Sequence, residues 1–327
     1  MQDHGGDIDR AMARYGGEAS DWIDLSTGIN RTPYPIPDLP LSAWTALPTG
    51  AELAALTTSA ASAFGTGAPI LAMAGAQAAI QAIPRLGTPG RARVLSPTYN
   101  EHAASLRAAG WTVEEVGDLA ALCGADLTVV VNPNNPDGRC QNPEMLLELS
   151  ERVGRLVVDE SFADPVPELS IAAQAGRPGL FVLRSFGKFY GLAGLRLGFV
   201  IGHELDIAEL ARMAGPWPVS GAAVAIGSTA LSDRAWAEET TARLLSEAGR
   251  LDAMARAAGW SLVGGTPLFR LYETGDAIAA RDRLANARIW SRAFPWSEGW
   301  LRLGLPGQEA EWERLAEALA PPCAATV

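Results

Sequence analysis

The chain has 327 residues, 48% of them hydrophobic, and a formal net charge of −11 at pH 7. This length and apolar content are enough for one large core and a smaller lobe. The negative charge argues against a nucleic acid partner, because a phosphate backbone would be repelled. No apolar run approaches the roughly 18 residues of a membrane span, so we expect no membrane partner.

The cysteines and the first residues indicate the compartment. Cys123, Cys140 and Cys323 have neither a metal-ligand spacing nor the even number of a disulfide set, so we expect reduced thiols and no metal site. The polar, acidic start lacks the basic-then-apolar layout of a secretory signal. We therefore expect a cytoplasmic protein.

Short apolar runs alternate with helix-like segments through the first two thirds of the chain. An Ala-rich stretch at 51–65 predicts a helix before the first of these runs. The strand candidates are 70–74, 92–96, 112–116, 127–131, 155–159, 180–184 and 196–201. Such alternation is typical of an α/β fold with a mainly parallel, seven-stranded sheet and helices on both faces.

The remainder of the chain predicts a smaller α+β domain. Helical patterning covers 204–214 and 232–258, and strand-like pieces occur near 268–272, 288–292 and 300–304. We expect three parts, namely an N-terminal arm at 1–34, a large domain at 35–214 and a small domain at 215–327.

Three motifs follow predicted strands, in the order of the chain. Gly75, Ala76 and Gln77 form a glycine turn and a helix start, where free backbone N–H groups can bind phosphate. Asn135 lies in the Asn/Pro turn that follows the strand at 127–131. Asp159 ends the next apolar run, and an aspartate there can pair with a protonated ring nitrogen.

The most informative motif is Ser185-Phe-Gly-Lys188-Phe-Tyr-Gly-Leu-Ala-Gly-Leu-Arg196. A lysine among small and apolar groups loses solvation, so its amine is easily kept neutral and nucleophilic. Ser185 and Arg196 are donors of the kind that a dianionic phosphate needs. The segment therefore indicates pyridoxal 5′-phosphate (PLP), which carries an aldehyde and a phosphate.

Together these motifs resemble the fold-type I PLP enzymes of the class I/II aminotransferase family over nearly the whole chain. The resemblance implies that Lys188 forms the Schiff base, that Asp159 pairs with the pyridine nitrogen and that Asn135 bonds the ring hydroxyl. Tyr99 would stack on the ring as a further catalytic residue. The phosphate would be bound by the set Gly75, Ala76, Gln77, Ser185 and Arg196.

Within that family, the amino-terminal segment resembles the L-threonine-O-3-phosphate decarboxylases of cobalamin biosynthesis. The matching stretches are His4-Gly5-Gly6 and Ser26-Thr-Gly28-Ile29-Asn30. Phe162 stands where typical aminotransferases carry Tyr, as it does in these decarboxylases. The resemblance implies that the substrate is bound by His4, Gly5, Gly28, Asn30, Asn135, Arg292 and Arg302.

Two arginines match the anionic groups of such a substrate. Arg302 corresponds to the arginine that holds the α-carboxylate, and Arg292 would hold the phosphate together with the His4 segment. Two bidentate anchors would fix the geometry at Cα.

The sequence also departs from the family pattern. Gly187 replaces a second hydroxyl residue of the phosphate site. Leu47-Pro48 stands where many relatives have a Tyr-Pro whose phenol reaches the phosphate of the neighbouring subunit, and Gly28 replaces an asparagine.

The expected activity is PLP-dependent decarboxylation of L-threonine O-3-phosphate to (R)-1-amino-2-propanol O-2-phosphate, a small-molecule reaction catalysed by a homodimer. One alternative is a histidinol-phosphate-type aminotransferase. Another is a non-catalytic protein of the same fold that binds a partner in cobalamin biosynthesis.

Overall fold

Strands and helices alternate along the computed structural model, which describes residues 5–320. The strands are β1 Ile23–Asp24, β2 Ile70–Ala74, β3 Arg91–Leu95, β4 Thr112–Val116, β5 Leu127–Val131, β6 Leu156–Asp159, β7 Leu180–Ser185, β8 Leu197–Ile201, β9 Ser261–Thr266, β10 Phe269–Glu273, β11 Ile289–Trp290, β12 Arg292–Ala293 and β13 Trp300–Gly304. The α-helices are α1 Ile8–Tyr15, α2 Ser42–Thr45, α3 Gly50–Ala63, α4 Ala76–Ala82, α5 Glu101–Ala108, α6 Pro143–Ser150, α7 Phe186–Phe189, α8 Glu204–Ala214, α9 Gly221–Ser232, α10 Arg234–Ala257, α11 Ala277–Asn286 and α12 Glu309–Leu319.

Residues 33–238 form the larger of two compact units. Its seven-stranded sheet has the order β2-β8-β7-β6-β5-β3-β4. β8 runs antiparallel to both of its neighbours, and the other adjacent pairs are parallel. The predicted mainly parallel sheet is confirmed, and each of the seven strands predicted for it agrees with the observed one to within one residue at each end.

The central strands are apolar because both faces of the sheet are covered. β5, β6 and β8 are buried at every residue. Successive residues of β5 serve opposite faces, so Val129 packs into one apolar cluster and Val130 into another. Strands buried in this way appear as continuous apolar runs in the sequence, which is why they could be predicted.

The smaller unit contains the residues up to 32 and those from 239 onward. Its antiparallel sheet has the order β12-β13-β10-β9, and β1 pairs in parallel with β11. The smaller α+β part is therefore confirmed, whereas the predicted domain limits stay a prediction.

One predicted element towards the carboxyl end is corrected by the structure, and two observed elements were not predicted. The helix predicted at 232–258 is confirmed as α10, but the separate helix α9, which precedes it, was not predicted. The strand expected near 288–292 is divided into β11 and β12, and β9 was not predicted.

The parallel topology brings the predicted motifs to one edge of the larger sheet. The segments after β2, β5, β6 and β7 all leave the carboxyl ends of parallel strands, where α/β sheets bind ligands. Among the described residues, no helix is both long enough and apolar enough to cross a membrane.

Candidate functional site

A cavity of about 160 Å³ lies at this edge of the larger unit. Its lining contains each residue that the sequence assigns to the cofactor, namely Gly75, Ala76, Gln77, Tyr99, Asn135, Asp159, Ser185, Lys188 and Arg196. The structure thus brings together residues from segments up to 121 positions apart in sequence, while their individual roles stay predictions.

Asp159, which lines the cavity, is held in its ionised form by hydrogen bonds from its neighbours. It is 2% exposed, and its Oδ2 lies 2.8 Å from Nε2 of His102. Its Oδ1 accepts from the backbone N–H of Ser161 at 3.0 Å and from the Ser161 hydroxyl at 2.5 Å. Burial alone would raise the pKa of Asp159, but the bonds from His102 and Ser161 outweigh it and lower the pKa. The carboxyl group is therefore ionised at neutral pH, as a partner for a cationic ring nitrogen must be.

Tyr99 is oriented by its neighbours in the cavity wall. Its hydroxyl donates to Oε1 of Gln77 at 3.3 Å, and Nε2 of Gln77 donates to Glu101 at 3.0 Å. The Tyr99 ring stands edge-on to His102, with ring centroids 6.2 Å apart. These contacts fix the position of an aromatic side chain that lines the same cavity as Asp159.

The glycine turn after β2 leaves room for an anion. Gly75 has φ +75°, and a Cβ there would lie 2.9 Å from Nη2 of Arg196. A Cβ on Gly198 would lie 2.3 Å from the backbone nitrogen of Ala76. The turn therefore requires glycine, and it places the amino terminus of α4 and the Arg196 guanidinium together.

Lys188 is the only lysine of the 327-residue sequence. It lies in α7 just after β7, lines the cavity, and its Nζ is 5.6 Å from the centre of the Phe162 ring. Gly187, beside it, has no space for a side chain, because a Cβ would lie 2.8 Å from Cα of Ala193. The missing hydroxyl at 187 is thus a consequence of the close turn that carries Lys188.

The smaller unit contains a second cationic cluster. Arg292 on β12 and Arg302 on β13 are directly opposed cross-strand partners. Like charges in this arrangement repel each other. Burial of Arg302, together with the charge of Arg292, lowers the pKa of the Arg302 guanidinium to about 9. Such a pair is suited to an anion that both guanidinium groups can share.

The amino-terminal segment is attached to this cluster through Ser26. The Ser26 carbonyl accepts from Nη2 of Arg302 at 2.6 Å, and its hydroxyl accepts from the backbone N–H of Gly6 at 2.7 Å. That hydroxyl in turn donates to Asp24 at 2.6 Å. Gly5 lies so close that a Cβ would be 2.4 Å from the Ser26 carbonyl oxygen. Gly5 and Arg302, both predicted to bind the substrate, therefore contact the same residue, Ser26.

The other predicted substrate residues differ in their surroundings. Gly28 is buried in the same unit. Oδ1 of Asn30 accepts from the backbone N–H of Thr32 and from Nη2 of Arg243, both at 3.0 Å, so this side chain also supports the local fold. His4 lies outside the described residues.

Sequence reasoning missed His102 and Ser161, and it named Ser26 only as a part of a matching stretch without a role of its own. His102 lies in the first turn of α5, three residues after Tyr99, which precedes the helix, so a histidine this close to the predicted stacking tyrosine was a usable signal. Ser161 and Ser26 act through single hydroxyl groups, and only the tertiary structure shows which groups they contact.

The fold and the cavity agree with the comparisons. The chain belongs to the aminotransferase class I and II family, whose model matches residues 21–319. The family predicted from the motifs is confirmed.

Two curated relatives match almost the entire chain. The threonine-phosphate decarboxylase of Pseudomonas aeruginosa is 44% identical over 98% of this chain and 97% of its own length. The enzyme of the same name from a Sinorhizobium species is also 44% identical, over 97% of each chain. Among solved structures, the histidinol-phosphate aminotransferase of Sinorhizobium meliloti in complex with pyridoxal-5′-phosphate has a TM-score of 0.80 at 21% identity, covering 95% of this chain and 92% of that one.

Removal of the His102 side chain tests the charge of Asp159. In His102→Leu only the Ser161 bonds still oppose the effect of burial, so we expect the folded-state pKa of Asp159 to rise above its unfolded value. We expect a loss of about 3 kcal/mol in unfolding free energy near neutral pH, because a buried carboxylate loses its partner. The difference in unfolding free energy between the wild type and the variant should become smaller at acidic pH. Protonation of Asp159 removes a buried charge that lacks its partner only in the variant.

Thermal or urea unfolding of the cofactor-free protein between about pH 4 and pH 8 measures this difference. His203→Asn is the control for loss of a histidine, because asparagine can still cap α8. A difference in unfolding free energy that does not change with pH would contradict the proposed stabilisation of the Asp159 carboxylate by His102.

Removal of one arginine tests the cationic cluster. Inorganic phosphate should raise the melting temperature of the cofactor-free protein, by an amount that corresponds to about 2.7 kcal/mol at 100 times its Kd. In Arg292→Met this rise should be smaller but not absent, because the glycine turn and Arg196 also suit phosphate. Differential scanning calorimetry at several phosphate concentrations measures it. Arg212→Met, on the exposed face of α8, should behave as the wild type, and an equal rise in Arg292→Met would count against the cluster.

Proposed function

We propose that this protein is a PLP-dependent threonine-phosphate decarboxylase, which converts L-threonine O-3-phosphate to (R)-1-amino-2-propanol O-2-phosphate and CO₂ within cobalamin biosynthesis. Support comes from the two relatives of that name, each 44% identical over nearly the full chain. Further support comes from the amino-terminal segment and Phe162, which resemble the same enzymes.

The observation that carries the proposal is the single lysine in the cavity. The chain uses arginine for every other basic side chain apart from histidine, yet it has an amine at 188. Arginine can replace lysine in most ion pairs, but it cannot form the covalent bond to an aldehyde that lysine forms. A lysine found only where an aldehyde cofactor is expected therefore favours PLP chemistry over a purely structural role.

The residues present fit PLP at both of its ends. The glycine turn at Gly75, Ser185 and Arg196 would hold the phosphate, in a space that a Cβ on Gly75 would fill. Asp159 would hold the ring nitrogen, and Tyr99 would cover a ring face. When bound, PLP supplies an electron sink for the pair released from a bond at the substrate Cα.

Asp159 would keep a proton on the ring nitrogen of the cofactor. Its carboxylate stays ionised because His102 and Ser161 stabilise the charge in a buried position. An ionised carboxylate raises the pKa of a nitrogen that it contacts, so the ring would remain cationic and electron-withdrawing when bound.

The substrate-binding residues decide which bond breaks. A bond at Cα breaks when it is held perpendicular to the ring, because only then can its electrons enter the ring system. We assign the carboxylate to Arg302 and the phosphate to Arg292 with the His4 segment, with Gly5, Gly28, Asn30 and Asn135 completing the site. A substrate held through both of its anionic groups has little freedom to rotate about Cα.

Lys188 would have two tasks in this scheme. Its Nζ would bind the cofactor aldehyde, and its amine would serve as the acid that supplies a proton at the substrate Cα. Beside Phe162, the amine lies against an aromatic face rather than a phenol.

The decisive assay uses the PLP-loaded protein and L-threonine O-3-phosphate without any keto acid. We expect sustained CO₂ release with the PLP spectrum restored at the end of the reaction. Conversion to the pyridoxamine form without CO₂ would instead identify the aminotransferase alternative, and would overturn the proposal.

The single lysine permits a clean control. Borohydride reduction should add one cofactor to Lys188, and peptide mass spectrometry can locate it without competing lysines. Lys188→Ala, a chain without any lysine, should lose this adduct and all turnover. Full activity in that variant would refute the role of Lys188.

We also propose that the chain forms a homodimer through the larger unit. Four large apolar side chains around α2 are exposed, namely Ile36 (64%), Leu41 (74%), Trp44 (67%) and Leu47 (61%). An exposed set of this kind indicates a protein contact. Leu47 lies where the resemblance implies contact with the site of the neighbouring subunit.

Trp44→Asp tests the dimer, because burial of a carboxylate in the contact is unfavourable, whereas burial of the apolar Trp44 ring is favourable. Sedimentation equilibrium should give twice the chain mass for the wild type and a single chain mass for the variant. Leu205→Asp, a change at a residue of the same unit that is 72% exposed, should remain dimeric. A wild type that sediments as a monomer would contradict the proposal.

The cytoplasmic location predicted from the sequence is retained as part of the proposal. The two cysteines within the described residues, Cys123 and Cys140, are free thiols, which suits a reducing compartment.

A further inference from the structure

Three charged side chains form a buried cluster next to the cofactor cavity. Arg184 donates from Nη1 to Glu160 at 2.9 Å and from Nη2 to Asp164 at 2.7 Å. The side chains of Arg184, Glu160 and Asp164 are 5%, 0% and 9% exposed. The Arg184 guanidinium also lies 4.5 Å from the centre of the Phe64 ring. We call these three charged residues the Arg184 triad.

The triad connects the two strands that carry cofactor residues. Glu160 directly follows Asp159 at the end of β6, and Arg184 directly precedes Ser185 at the end of β7. Successive side chains of a strand point to opposite faces, so Arg184 lies on the side of β7 opposite to Ser185. The triad therefore links the ends of β6 and β7 from behind the cavity.

Glu160 extends the connection to a third segment. Its Oε2 accepts from the Ser170 hydroxyl at 2.5 Å, and its Oε1 accepts from the backbone N–H of Ile171 at 2.7 Å. Its own backbone N–H donates to the Leu183 carbonyl at 2.9 Å. One carboxylate thus fixes the chain that leaves β6 against both β7 and residues 170–171.

Stability alone is a weak reason for such a cluster. Burial raises the pKa of Glu160, and the contacts with Arg184 and Ser170 offset only part of that effect. Buried ion pairs can often be replaced by apolar side chains of similar volume with little or no loss of stability. What apolar packing does not supply is a bidentate, directional link between two strand ends.

We propose that Arg184 is a positioning residue, which through Glu160 and Asp164 sets the spacing between Asp159 and Ser185. A rigid cofactor must reach the carboxylate with its ring nitrogen and the hydroxyl with its phosphate at the same time. The triad holds these two contacts at the separation that one cofactor molecule can span. This inference rests on the proposed PLP function and goes beyond it, because none of the triad residues lines the cavity.

The test removes the charges of the triad and keeps its volume. The variant Arg184→Met/Glu160→Gln/Asp164→Asn retains an amide oxygen that can accept from Ile171. We expect its cofactor-free form to unfold within a few degrees of the wild type, while the Kd for PLP, titrated by absorbance, rises tenfold or more. The visible circular dichroism of bound PLP should also change per mole bound, because it reports the orientation of the ring in the cavity.

The matched control removes a comparable pair in the smaller unit. Arg270 donates to Asp252 through Nε at 2.9 Å and through Nη2 at 2.7 Å, and neither residue lines the cavity. Arg270→Met/Asp252→Asn should lower stability without changing the Kd for PLP. If the triple variant and this control bind PLP equally well, the triad is only structural and the inference is overturned.

Asp164→Asn is the milder variant, for use if the triple variant does not fold. It leaves the Arg184–Glu160 pair intact, so we expect a two- to threefold rise in the Kd for PLP with the same change in circular dichroism. An unchanged Kd and spectrum would overturn the inference. A wild type that binds no PLP would instead contradict the proposed function, so the two failures are distinguishable.

Discussion

Asp159 lies buried at the end of β6, where burial raises its pKa, and the hydrogen bonds that keep it ionised are the constraint on which the proposed cofactor site depends. His102 and Ser161 supply the compensating hydrogen bonds. Tyr99 packs against His102, and it is linked through Gln77 to the start of α4. The groups proposed for the ring nitrogen, the ring face and the phosphate therefore belong to one connected set of contacts.

The single lysine of this chain suits covalent chemistry, whereas its arginines suit the binding of anions. Lys188 is the only lysine, and it lies where an aldehyde cofactor would need an amine. The two arginines on β12 and β13 face each other across a strand pair, an unfavourable arrangement that a shared anion would relieve. Arg184 serves neither purpose, and its buried position behind the cavity suits a positioning role.

Local sequence predicted some elements much better than others. The strands of the large sheet were predictable because residues such as Val129 and Val130 are buried on opposite faces, which leaves a continuous apolar run. Helix α9 was missed because Gly221–Ser232 contains two glycines and no charged residue, so it lacks the polar face of an amphipathic helix. Strand β9 was missed because it contains Gly264 and Gly265, which have low strand propensity.

The sequence by itself determined the fold class, the family and the residues of the cofactor cavity, because each motif is a short segment whose chemistry is local. It could not show that His102 stabilises Asp159, that Ser26 joins Gly6 to Arg302, or that Arg184 links two strand ends. Those contacts join side chains that are 20 to 276 positions apart, or that meet only when neighbouring strands align. Only the tertiary structure decides them, because hydrogen-bond distances between remote residues depend on how the strands and loops pack.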